Sequence, residues 1–233
     1  MNVALGSAAL LFGLGASVLG VGTLAVGLVK KRPRLLLLGR SYAVLAFVGA
    51  LVAFLVMERA LITRDFTVAY VAENGSSTTP ALYNVATLWA ALEGSILLWV
   101  LVLTGYLMAM MRKFRHRQTD PLVGWANLTM FVVCIFFFGL MVTVARPFVP
   151  FDPPPGFDGP GPNPLLQNHI LMAFHPPMLY LGYVGFTVPF AFAVAALVTP
   201  AQIVVGDAAA RFLAERQPVK LAAIEALSET RDC

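Results

Sequence analysis

Charge is scarce in this chain: 12% of its 233 residues are Asp, Glu, Lys or Arg, against 59% hydrophobic. With a mean hydropathy of +0.80, that balance excludes an ordinary soluble domain and marks an integral membrane protein. Cysteine is nearly absent. Cys134 lies in an apolar run and Cys233 is the last residue, so no disulfide is assigned. Histidine and tryptophan number three each. The chain has no Gly-Lys-Ser/Thr phosphate loop, no Cys-x-x-Cys pair, no Cys-x-x-Cys-His haem-attachment signal and no nucleophile elbow. The signatures of nucleotide hydrolysis, thiol redox chemistry and serine hydrolysis are therefore missing. The net charge of +4 sits in clusters that orient a membrane chain, so no nucleic-acid partner is expected.

What the chain does have is long apolar runs. About twenty apolar residues cross a bilayer core of roughly 30 Å. Residues 3–29, 41–62, 84–111, 122–145 and 176–197 meet that length, which predicts an all-α, polytopic membrane protein with about five transmembrane helices. The first run has no basic segment before it and no clear cleavage site, so it reads as an uncleaved anchor rather than a signal peptide. Two basic clusters, Lys30 to Arg34 and Arg112 to Arg117, lie two spans apart and thus on one side. The positive-inside rule makes that side cytoplasmic and places the N-terminus outside.

Two external segments follow from this topology. Residues 63–83 are polar, β-leaning over Asp65-Phe-Thr-Val-Ala-Tyr-Val71 and then turn-forming. The segment from Arg146 to Phe174 carries eight prolines, which deny it regular structure and exclude it from hydrocarbon. Residues 200–233 differ in kind, being charged and helix-favouring with Pro218 as an interruption. The chain thus divides into a transmembrane domain, 1–199, and an amphipathic tail, 200–233, which span counting places inside.

His175 is the leading candidate for chemistry. His175-Pro176-Pro177 reads as the opening of a helix, where prolines lose nothing by lacking N–H groups. An imidazole fixed at that boundary can serve as an axial haem ligand, with Phe174, Met178, Tyr180 and Tyr183 as an apolar wall. The plainer alternative is an interfacial or helix-capping histidine. His169 reads as a solvated loop residue or a second donor, and His116, between Arg115 and Arg117, as a surface histidine. Glu93 falls roughly ten residues into the third run, about 15 Å along a helix. At that depth it must be protonated, hydrogen-bonded or facing a cavity, while Gly94 and Ser95 beside it also suit close helix packing. Trp89 and Trp99 flank Glu93 and suit either a porphyrin stack or the aromatic belt. Glu58 and Arg59 are expected to snorkel to the interface.

These residues fall into blocks that resemble the CcmF-type family of cytochrome c haem lyase subunits, within the CcmF/CcmC/CcsA superfamily. The blocks are Asp65-Phe-Thr-Val-Ala-Tyr-Val-Ala, Trp89-x-x-x-Glu93-Gly-Ser-x-Leu-Leu-Trp99, Asn163-Pro-Leu-Leu-Gln167 and Phe174-His-Pro-Pro-Met-Leu-Tyr-Leu-Gly-Tyr-Val-Gly-Phe186. They are collinear with the family's N-terminal third and extend over residues 3–197. The resemblance implies a chain of the inner membrane whose site faces the periplasm, where haem is attached covalently to apocytochrome c. It implies haem b as cofactor with His175 as the iron ligand, and Trp89, Glu93 and Tyr180 as further cofactor-binding residues. It implies as partners the haem chaperone CcmE, the lyase subunits that present apocytochrome c, and membrane lipid.

The departures from the family pattern carry their own implication. The family continues into a tryptophan-rich external motif and further haem-binding histidines, which three histidines and three tryptophans cannot supply. Trp89-Ala90 and Leu92 also alter the family's pattern before Glu93. A split, truncated or partial subunit, inactive as a lyase alone, is therefore expected. The tail, with Lys220 and Glu225, resembles the start of the quinol loop of cytochrome bd oxidase subunit I. That likeness leaves open an oxidase fragment or fusion, an amphipathic juxtamembrane helix, or a non-catalytic assembly module.

Overall fold

The computed structural model describes residues 1–167 and 169–199, and the regular elements among them are all helices. Five helical stretches among these residues are long and apolar enough to cross a bilayer: Asn2–Val29, Pro33–Ile62, Leu92–Lys113, Pro121–Ala145 and Ala173–Val198. The first two are α1 and α2. Two short helices follow, α3 (Ala69–Asn74) and α4 (Ala81–Ala86), before α5 (Leu92–Lys113). Next comes α6 (Pro121–Leu140), whose last turn widens into a π-helical turn over Met141–Ala145. The fifth span is made of α7 (Leu171–Gly185) and α8 (Thr187–Val198). Pro189 cannot donate to the carbonyl of Gly185 four residues earlier, and the helix breaks at Phe186 between them.

Local chemistry sets the helix ends. Proline occupies the first position of both α2 and α6, and the Asp120 carboxylate accepts the Leu122 N–H at 2.9 Å to cap α6. Lys31 and Arg64 end α1 and α2 in the left-handed region, at φ 50° and 52°, where glycine is the usual residue. In each case the N–H of the following residue returns to a carbonyl five residues earlier, Arg32 to Gly27 at 2.8 Å and Asp65 to Ala60 at 2.9 Å. The backbone strain costs about 1 kcal/mol each. A cation beside the negative end of a helix offsets part of it.

The core rests on small residues that admit large ones. Gly6, Gly13 and Gly20 recur every seven residues along α1, and a Cβ at each would lie 2.3, 2.4 and 2.7 Å from Phe148, Phe138 and Phe131 respectively. Phe131 and Phe138, fully buried on α6, thus fill gaps in α1. On α2, Ala43, Ala46, Ala50, Ala53 and Ala60 are all buried and let the two backbones approach. A Cβ on Gly49 would meet the Ala9 carbonyl oxygen at 2.9 Å.

Both basic clusters lie at one end of this bundle. At the other end the two loops expected from the sequence join. The Ala69 N–H donates to the Val149 carbonyl at 2.9 Å and the Phe151 N–H to Thr67 at 2.8 Å. Asp158 accepts from the Ser77 N–H at 2.8 Å and its hydroxyl at 2.5 Å, and these hold its carboxyl below the usual carboxylate range. Asp65 behaves likewise. Burial opposes its ionisation, but hydrogen bonds from the Thr67 hydroxyl at 2.6 Å and from Asn2 at 2.7 Å outweigh it.

Three boundaries differ from expectation. The β-leaning stretch extends only to Val68, which bridges Pro150, while Ala69–Asn74 is helical because Tyr70 must turn inward. Its buried hydroxyl donates between the Thr87 and Leu88 carbonyls, each at 2.8 Å, and burial pushes the phenol up. Span three starts at Leu92 rather than near Asn84. Residues 84–91 instead form the end of α4, a 3-10 turn over Thr87–Trp89 and an extended Ala91, a path that seats Gly94 against the Leu88 carbonyl. Span five also begins earlier, so Pro176 and Pro177 lie inside α7 rather than at its opening. They sit only one turn in, so just the carbonyls four residues before them lose partners.

Candidate functional site

The candidate site gathers where α7, the 3-10 turn before α5 and the proline-rich loop meet. His169 starts it by accepting the Leu171 N–H on Nδ1 at 3.2 Å, which caps the first turn of α7. His175 follows as the fifth residue of that helix, and it is exposed. At about 100° per residue, Leu171, Met178 and Leu179 share its face. All three are exposed, Met178 to 64%. With Phe174 beside them they form an apolar surface around a single imidazole.

Tyr180 points elsewhere. Five residues on from His175, it turns about 140° away and donates its hydroxyl to Ser95 at 3.2 Å. Ser95 in turn donates to the Trp89 carbonyl at 3.0 Å. Tyr180 also leans on Trp99, ring centroids 5.7 Å apart. Trp89 is half-buried, and its Nε1–H is buried with no acceptor among the described residues. Glu93 occupies the first turn of α5, half-buried, and not a position deep in the span. A carboxylate there meets the positive end of the helix dipole, which removes the need for a buried partner. The structure therefore links Trp89 and Tyr180 through Ser95 and sets His175 on the outer side of α7, while Glu93, two residues before Ser95 on α5, makes no side-chain hydrogen bond among the described residues.

Against Trp89 and Pro176 lies a cleft of about 60 Å³, also lined by Tyr83, Pro162 and Gln167 among others. Small-molecule sites usually span roughly 300–1,000 Å³. This cleft is too small to enclose a porphyrin. The open face around His175 is the part that fits one, since it offers an imidazole nitrogen on an apolar wall. No group of three or more His, Cys, Asp or Glu side chains converges among the described residues, so a multi-ligand metal centre is not present there. His116 sits at the opposite end of the bundle, where the Arg115 Nε–H donates to its Nε2 at 2.9 Å.

Several polar residues near the site lacked a sequence signal. Ser95 and Tyr70 prove to be its structural ties. Glu58 is buried at 9% exposure with one carboxyl oxygen unpartnered, so it does not snorkel, whereas Arg59 does reach the surface and donates to Asn2 at 2.6 Å. A single residue step, about 100° around the helix, separates those outcomes: Glu58 faces the bundle and Arg59 faces out.

Comparison with known proteins decides the lineage. The family described as cytochrome C assembly protein matches residues 89–229. The chain belongs to that family. CcmF of Escherichia coli K12, a cytochrome c-type biogenesis protein, is 40% identical over 173 residues, which cover 74% of this chain and 26% of that one. CycK of Rhizobium meliloti is 36% identical over 199 residues, 85% of this chain and 29% of that one. The solved structure of the cytochrome c haem lyase CcmF superposes with a TM-score of 0.71 at 37% identity, and covers 85% of this chain and 31% of that one. This member of the family thus spans under a third of the length of these relatives. Its five membrane helices agree with that lineage. The tail with Lys220 and Glu225 lies outside the described residues.

Proposed function

We propose that this chain is the haem-contacting N-terminal part of a cytochrome c haem lyase, with His175 as one axial ligand on the periplasmic face of the inner membrane. The observation that supports it is the exposed imidazole on the uncovered apolar face of α7. Haem bound there would supply the vinyl groups to which apocytochrome cysteine thiols add. The chain's own part is positional. His175 offers a nitrogen lone pair, and the exposed Phe174, Met178 and Leu179 offer an apolar surface from which a bound macrocycle would displace water. Tyr180 and Ser95 fix the rotation of α7, while the free Nε1–H of Trp89 and the Glu93 carboxylate edge the site. Haem b, as against another haem, is the form a non-covalent imidazole site suits.

The remaining requirements fall to the rest of the lyase. His169 already has its Nδ1 engaged by the α7 backbone, so a second axial ligand comes from the remainder of the assembly. In this reading CcmE delivers the haem and other lyase subunits present apocytochrome c. The test is a haem titration of the purified chain in detergent, followed by the Soret band. His175→Gly is expected to abolish the band, and added imidazole is expected to restore it. Equal binding by the variant without imidazole would remove the ligand assignment.

A further inference from the structure

At the basic end of the bundle, far from His175, lies a larger cavity that the haem reading does not use. It measures about 520 Å³ and is lined by Lys31, Pro33, Thr119, Pro121, Trp125 and Thr199, with Leu28 and Leu36 as apolar walls. That volume falls in the range of ordinary ligand sites.

Three features give it a sign. Pro33 and Pro121 are the first residues of α2 and α6, so two long helices turn their N-terminal ends to one space. Each end carries roughly half a positive charge. Lys31 stands between them, held at φ 50° where glycine would be free of strain. Thr199 is 3% exposed and lines the cavity, and its buried hydroxyl has no hydrogen-bond partner among the described residues. A buried hydroxyl left unpaired is costly, and a ligand oxygen would satisfy it.

Opposing charge is already neutralised. Asp120 is engaged by Arg117 at 2.5 Å and by the Leu122 N–H at 2.9 Å. The C-terminal carbonyls of α1 are taken by the N–H groups of Lys30, Lys31 and Arg32. Lys30, Arg32 and Arg34, exposed chain neighbours of the lining residues Lys31 and Pro33, add positive charge at this end of the bundle and disfavour a cation. The half-buried indole of Trp125 and the leucine walls require the ligand to be apolar beyond its anionic group.

We infer that this cavity binds the phosphate of an anionic phospholipid, its acyl chains running down the groove between α1, α2 and α6. Trp125 provides the readout. In phosphatidylcholine nanodiscs, brominated phosphatidylglycerol is expected to quench tryptophan fluorescence saturably, and the saturable part should vanish in Trp125→Phe. Lys31→Gly relieves the backbone strain, so the fold is kept while the half-quenching lipid fraction rises about five-fold, the worth of one lysine near an anionic surface. Thr199→Val removes no charge and should also weaken quenching, which a diffuse surface attraction would not explain. Displacement by millimolar inorganic phosphate would reassign the site to free phosphate and overturn the lipid assignment. Equal quenching by brominated phosphatidylcholine, or no change in both Lys31→Gly and Thr199→Val, would overturn the site itself.

Discussion

The Tyr180 hydroxyl reaches from α7 to Ser95 on α5 at 3.2 Å, and through Ser95 to the carbonyl of Trp89. This short chain couples the helix bearing His175 to the turn that opens α5. Tyr180→Phe keeps the ring packing and removes only the bond. It is expected to cost about 1 kcal/mol and, with His175 as the proposed iron ligand untouched, to weaken haem binding several-fold without moving the Soret maximum. A titration of the variant beside wild type checks both. A shifted maximum would mean that Tyr180 itself meets the iron.

Gly94 is the second element of that coupling. A Cβ there would fall 1.7 Å from the Leu88 carbonyl oxygen and 2.5 Å from the Tyr70 hydroxyl, both held in place. Gly94→Ala should therefore destabilise the bundle by about 2–4 kcal/mol, beyond usual overpacking, since backbone cannot step aside as a side chain can. Thermal unfolding followed by circular dichroism reads this. Ser95→Ala, which leaves the space alone, is expected to lose much less.

The paired loops predict a pH dependence. The carboxyls of Asp158 and Asp65 titrate lower in the folded chain than in an unfolded one. Their contribution is thus complete above the ordinary aspartate value of about 3.9. It disappears as pH falls through the lower folded values. Hydrogen exchange corrected for intrinsic rate should show the Gly161 N–H, which donates to Gly75 at 3.1 Å, protected at pH 5 and exposed in stronger acid. Asp158→Asn should flatten that profile near Ser77.

The glycine stripe on α1 predicts a compensating pair. Gly13→Ala places a Cβ 2.4 Å from the Phe138 ring and should cost about 1–3 kcal/mol. Phe138→Leu should cost a similar amount by leaving a void. Combined, the two substitutions should recover much of the loss, and a double-mutant cycle on unfolding measures the recovery. Strict additivity would refute the contact.

Much of this architecture was legible in the chain itself. Five apolar runs and two basic clusters suffice for the spans, because hydropathy and interfacial charge act on each segment separately. The break around Ala91 was not legible, since it depends on a contact 18 residues apart in sequence, the Tyr70 hydroxyl on Leu88, and the start of α7 at Leu171 was hidden by Pro176 and Pro177, which this helix admits in its interior. Placing Glu93 deep in a span followed from the first of these errors. At the site, the residue types were visible but their faces were not, and the 140° between His175 and Tyr180 became clear only once α7 was known to start at Leu171. One signal was present and passed over, the seven-residue recurrence of Gly6, Gly13 and Gly20. Its period fits a packed helix seam.

That seam also imposes an order of assembly. When α1 is made, its three gaps have no phenylalanines to fill them, and acyl chains must lie against bare backbone. The neighbouring α2 can dock at once through its alanines, being joined by a short turn. Phe131 and Phe138 come from the fourth span and Phe148 from the loop just after it, all synthesised much later, and they must expel lipid before they lock. Closing so distant a contact is slow compared with forming a hairpin. The fourth span is thus the clasp of the bundle, and the period before it arrives is when the unfinished chain is most open to a quality-control protease.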